Sequence, residues 1–108
     1  MTNRAGVLLG LTWTALALGS SSAAVGRPAD VGIKEFKFAP AALEVSAGTT
    51  VRWTNHDEET HTITSTTGAF ASRGLGSDET FAQTFARPGA YEYFCALHPQ
   101  MRARVIVK

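Results

Sequence analysis

From residue 31 onward, the apolar and polar positions fall in the pattern of short strands. Thr49–Asn55 ("TTVRWTN") sets Val51 and Trp53 on one side and Arg52 and Thr54 on the other, the period of a half-buried strand. Val31–Phe38 ("VGIKEFKF") alternates less cleanly, which predicts an edge strand with a bulge, stopped by Pro40. Ala42–Gly48 ("ALEVSAG") reads as a short strand running into a turn. After the polar loop "NHDEET", His61–Ser65 ("HTITS") resumes β-branched strand chemistry. The Gly/Ser-rich stretch "TGAFASRGLGSDE" reads as irregular loop. Thr80–Phe85, Ala90–Cys95 and Ala103–Val107 supply three more strands, separated by "RPG" and by an "ALHPQM" loop.

No segment spaces its apolar residues helically over ten or more positions. Turn signals about every 8–12 residues predict an all-β domain, an antiparallel Greek-key β-sandwich of about seven to eight strands.

The first stretch has a different character. Arg4 precedes an apolar run, Ala5 to Gly19, and small residues follow from Ser20 to Ala24. This is the pattern of a secretory signal peptide over residues 1–24. The run of about 15 residues is short of the roughly 20 that span a bilayer, so no integral membrane span is expected in the mature chain. Residues 25–30 then form a flexible lead-in and residues 31–108 the folded domain. Export to the periplasm or another extracytoplasmic space follows as the expected localisation.

Charge narrows the partners. The chain carries 10 Lys and Arg against 9 Asp and Glu, and loss of Arg4 with the leader makes the remainder neutral. No basic field is present to hold nucleic acid. A domain this small often needs a disulfide or a metal as a staple. A single cysteine, Cys95, excludes an internal disulfide. In an oxidising compartment such a thiol is paired with another chain, inert by burial, or occupied.

The neighbours of Cys95 favour occupation. In "YEYFCALHPQM" it is followed by His98 and then Met101, each three residues on. Two further histidines, His56 and His61, lie upstream. A thiolate and two imidazoles with a weak thioether make a blue-copper site. Zinc would accept the first three but favours several thiolates in structural sites. Calcium and magnesium require oxygen donors. Taken singly, Cys95 reads as a buried core thiol and Met101 as core filler; their joint spacing reads as a metal site.

The segments "VRWTNHDEETHTITS", "RPGAYEYFCALHPQM" and "ARVIV" resemble the small cupredoxins, the plastocyanin, pseudoazurin and amicyanin group. The likeness extends over nearly all of residues 31–108, and the Cys-x-x-His-x-x-Met loop is most similar to that of amicyanin. The resemblance implies one type 1 copper held by His61, Cys95, His98 and Met101, and it selects His61 over His56. The sequence departs from the family at Thr62, where the family usually has an asparagine that helps tie the two ligand segments together.

"PGAY" resembles a tyrosine corner, giving Tyr91 a structural role. Phe94 is expected to face outward, as ordinary sheet packing or as an electron port. Asp57, Glu58 and Glu59 are expected to form a solvated acidic tip, with docking of a basic partner as the other reading. Leu97 and Pro99 would flank His98 as an apolar rim.

The expected function is that of a soluble single-electron carrier cycling between Cu(I) and Cu(II), not an enzyme, with redox proteins as partners and the chain itself a monomer. The alternative is a copper-binding protein for storage, delivery or resistance. A multicopper enzyme would need further histidines for a second centre, and His56 alone cannot build one.

Overall fold

The computed structural model describes residues 28–108; the expected signal peptide and residues 25–27 of the lead-in lie outside the described residues. Eight strands follow one another: β1 (Ala29–Lys34), β2 (Lys37–Ala39), β3 (Ala42–Val45), β4 (Thr49–Asn55), β5 (Thr64–Ser65), β6 (Thr80–Phe85), β7 (Gly89–Cys95) and β8 (His98–Val107). They form two four-stranded sheets, ordered β2-β1-β4-β6 and β3-β8-β7-β5. The all-β sandwich is as expected, but each sheet is mixed. β1 runs parallel to β4 and β3 parallel to β8, while the other pairs are antiparallel.

Alternation places the core. Val51 and Trp53 of β4 are fully buried, and Tyr93 and Cys95 of β7 face them with Met101, Ala103, Val105 and Val107 of β8. Each such large apolar side chain contributes about 1.5–3 kcal/mol on burial. Trp53 meets Tyr93 edge-on with ring centroids 5.4 Å apart, and its indole N–H donates to the Tyr93 hydroxyl at 3.1 Å. That bond satisfies the one polar atom of the tryptophan in an otherwise apolar layer. The Tyr91 hydroxyl donates to the carbonyl of Arg87 at 2.7 Å, the corner expected from "PGAY". Among the described residues no helix is long and apolar enough to cross a membrane.

Three local expectations are corrected. Val31–Phe38 is not one bulged edge strand but a hairpin: Glu35 and Phe36 turn the chain between β1 and β2 with φ of 54° and 60°. Two-residue hairpin turns of this hand normally use Gly or Asn, so the sequence carries no signal for it. The residues from His61 to Ser65 form only the two-residue β5. Ahead of it, the loop returns to bridge His61 with Leu75, and it bridges β5 itself at Thr64 with Ala71. Phe70 and Leu75 of that loop are buried in the core. Finally, β8 begins at His98 rather than Ala103, so the expected "ALHPQM" loop shrinks to the turn at Ala96 and Leu97.

Candidate metal centre

The centre is built where β7 hands over to β8. Along this pair the register is regular up to Phe94 opposite Arg102; Cys95, the next residue, pairs instead with His98. Pro99, Gln100 and Met101 therefore lie within the register shift. The shift brings His98 to the thiol and leaves Met101 buried on the inner side, 4% exposed.

His61 comes from the other side of the centre. Its backbone exchanges two hydrogen bonds with Leu75, His61 N–H to the Leu75 carbonyl at 3.1 Å and the reverse at 2.8 Å. The imidazole is fully buried. Its Nδ1 lies 3.8 Å from Cys95 Sγ, and Nδ1 of His98 lies 3.6 Å from the same sulfur. The three donor atoms fall within 4.8 Å of one another. One sulfur and two imidazole nitrogens converging on a small volume fit a copper ion as the bound group. His56 is exposed and outside this cluster.

Surrounding groups hold the donors in place. The Thr62 amide donates to Cys95 Sγ at 3.3 Å, and the Thr62 hydroxyl accepts the Ala96 N–H at 2.7 Å. The hydroxyl thus ties the two donor segments together. On the far side of His61, Nε2 meets Asp57 Oδ2 at 2.9 Å. The same carboxylate accepts the backbone N–H of Glu35 at 2.7 Å and of Phe36 at 2.9 Å. Burial works to raise the Asp57 pKa, but the Phe36 and Glu35 amides and the His61 ring outweigh it and hold the carboxyl below its ordinary value.

Asp57 therefore does not belong to a solvated acidic tip; Glu58 and Glu59 alone are exposed there. Sequence reasoning missed it because a run of three acidic residues gives no sign of which one turns inward. Asn55 organises that loop: its fully buried side chain donates to the carbonyls of Glu59 and Leu75 at 2.8 and 2.9 Å and accepts the Asp57 N–H at 2.9 Å.

The outer face of the centre is apolar. Phe36 and Leu97, 41% and 56% exposed, are the large hydrophobic side chains most open to solvent among the described residues. The Phe36 ring stands edge-on to His61 and to His98, with centroids 5.0 and 4.9 Å away. His98 is half-buried beside the exposed Pro99. Phe94 is half-buried rather than open, with the Arg102 guanidinium 5.8 Å above its ring.

Comparison with known proteins places this arrangement. The model of the cupredoxin-like domain family matches residues 6–107. Amicyanin from Paracoccus versutus is 37% identical over 80% of this chain and 71% of its own length. Amicyanin-alpha from Methylorubrum extorquens is 32% identical over 87% of this chain and 86% of its own. Among solved structures, a proline-to-glycine variant of amicyanin in its reduced Cu(I) form at pH 4 superposes with a TM-score of 0.72. Its identity is 28%, over 81% of this chain and 89% of that one. These relatives lend no support to the storage or delivery alternative.

Proposed function

The chain belongs to the cupredoxin-like family as a small blue copper protein of the amicyanin type, an electron carrier and not an enzyme, and from that premise we propose how its residues serve the task. His61, Cys95, His98 and Met101 hold one type 1 copper. Bound there, copper supplies a one-electron couple between Cu(I) and Cu(II). The observation that carries the assignment is the convergence of His61 Nδ1, His98 Nδ1 and Cys95 Sγ, with Met101 buried in the adjoining register shift.

The protein takes one electron from a reduced partner and yields it to an oxidised one, with no bond made or broken in the chain. Its residues therefore act by constancy of position. Cys95 is anchored by β7 and by the Thr62 amide, and His61 by its paired bonds to Leu75 and by Asp57. Donors held this way cannot relax far between oxidation states, so little reorganisation opposes transfer. His98 is the most open of the donors, and Phe36, Leu97 and Pro99 surround it with apolar surface. That face is where a redox protein docks, since an apolar patch excludes water and lets the partner's group approach closely. The carrier works as a soluble monomer after export, the signal-peptide pattern of residues 1–24 supporting the periplasm.

The test is direct. Cu(II) added to the purified protein should give an intense blue thiolate-to-copper band and narrow copper hyperfine splitting in EPR. Cys95→Ser should abolish the band. A colourless protein that reduces and releases copper would sink the proposal.

A further inference from the structure

We propose that Asp57 is a positioning residue of the metal centre: its one carboxylate latches the β1–β2 turn onto His61, sets the tautomer of that ring, and seats Phe36 over both histidines. The inference rests on the copper reading of the site and adds to it a residue that no donor motif contains.

The hydrogen bonds leave the carboxylate little freedom. The N–H groups of Glu35 and Phe36 point at it, and His61 Nε2 lies 2.9 Å away; an ionised carboxylate can only accept, so His61 Nε2 is the third donor. An imidazole that donates at Nε2 carries its lone pair at Nδ1, and Nδ1 is the atom turned toward Cys95 Sγ. His61 is fully buried, so bulk water is not there to set its tautomer, and Asp57 is the group that does. A partner on the outer nitrogen also makes an imidazole a stronger donor at the inner one.

The second half of the latch is the turn. Glu35 and Phe36 both take left-handed backbone conformations, φ 54° and 60°. A bulky residue there is an outlier that surrounding structure must enforce. Two successive residues of this kind aim their N–H groups at one point, and Asp57 occupies it. The outcome is the edge-on contact of Phe36 with His61 and His98. One side chain thus joins a strained turn, a ring tautomer and the aromatic cover of the centre. Asn55, bonded to the Asp57 amide, holds that side chain at its post.

The experiment uses the metal-free, reduced, ¹⁵N-labelled chain. NMR of the wild type should show His61 as a single Nε2–H tautomer with a slowly exchanging ring proton, and protected amides at Glu35 and Phe36. Asp57→Asn offers one acceptor oxygen for three donors. It should lose the single tautomer, expose both amides together and lower copper affinity about 10–100-fold. Its reduction potential should rise, because a weaker imidazole donor favours Cu(I). Phe36→Ala removes the cover and should keep the tautomer and both amide protections.

An Asp57→Asn protein that folds with His61 still Nε2-protonated and affinity unchanged overturns the proposal. So does one whose amides loosen while ring and potential stay as they were, since Asp57 would then only brace a turn. Should that variant fail to fold, the wild-type ring decides, and a His61 without a bonded Nε2 proton refutes the latch. The ring measurement needs no copper, so failure of the copper reading would be told apart by the missing blue band.

Discussion

The Thr62 hydroxyl accepts the Ala96 N–H at 2.7 Å, joining the segment that carries His61 to the turn that follows Cys95. The same residue gives its amide to the Cys95 sulfur, so side chain and backbone fasten one segment twice. Thr62→Val should leave the amide contact and lose the tie, at a cost of about 1 kcal/mol. Urea unfolding of the metal-free protein should show that loss, and a copper-loaded sample should release its metal faster to a chelator. Thr62→Asn, whose amide oxygen can accept the same N–H, should recover most of both.

The two upstream histidines should behave oppositely. His56→Ala removes an exposed ring outside the donor cluster and should leave the visible spectrum unchanged. His61→Ala removes a donor and empties a fully buried site, and it should abolish the normal blue band. Copper titration followed by visible absorption separates the two.

Docking through the apolar face predicts a selective kinetic defect. Leu97 is 56% exposed and stands beside His98. Leu97→Ser should slow electron exchange with a protein acceptor such as a c-type cytochrome by about tenfold, the effect of losing one apolar anchor. Exchange with a small inorganic oxidant should be unaffected, as should the spectrum. Stopped-flow mixing with each acceptor tests this, and equal slowing with both would point to the centre and not the surface.

Alkaline stability should depend on Tyr93. Burial pushes its pKa up from 10.0 to about 12, against a smaller opposite pull from the Trp53 N–H. The unfolded chain therefore loses the phenolic proton first. Stability is fully present below about pH 10 and is lost as pH rises toward 12, by roughly 2–3 kcal/mol for this group. Tyr93→Phe leaves the buried Trp53 N–H without its acceptor and should be less stable at pH 7. Its stability should fall less steeply above pH 10, as read from urea unfolding at successive pH values.

Much of the centre was legible because its parts are close in the chain. Cys95, His98 and Met101 form one spacing motif, and with Phe94 expected to face outward, strand alternation turns the neighbouring thiol inward. His61 was harder, since spacing alone did not separate it from His56 and only the family likeness did. Asp57 was misplaced because its partners, the amides of Glu35 and Phe36, lie far upstream. The hairpin between β1 and β2 was missed for the same reason: its left-handed turn is enforced by Asp57 and not encoded in glycine or asparagine.

By itself the sequence determined the donor chemistry, the strand-rich class and the two faces of β4. These depend on residue type and on a two-residue period, both of which are local. The tertiary structure decided the β7–β8 register shift that brings His98 to Cys95, and the loop that returns Leu75 to His61. It also decided the turn that sets Phe36 over the two histidines. The shift depends on how β7 and β8 pair along their whole length, and the other two are contacts between segments distant in the chain, so their energies exist only once the sandwich has closed around them.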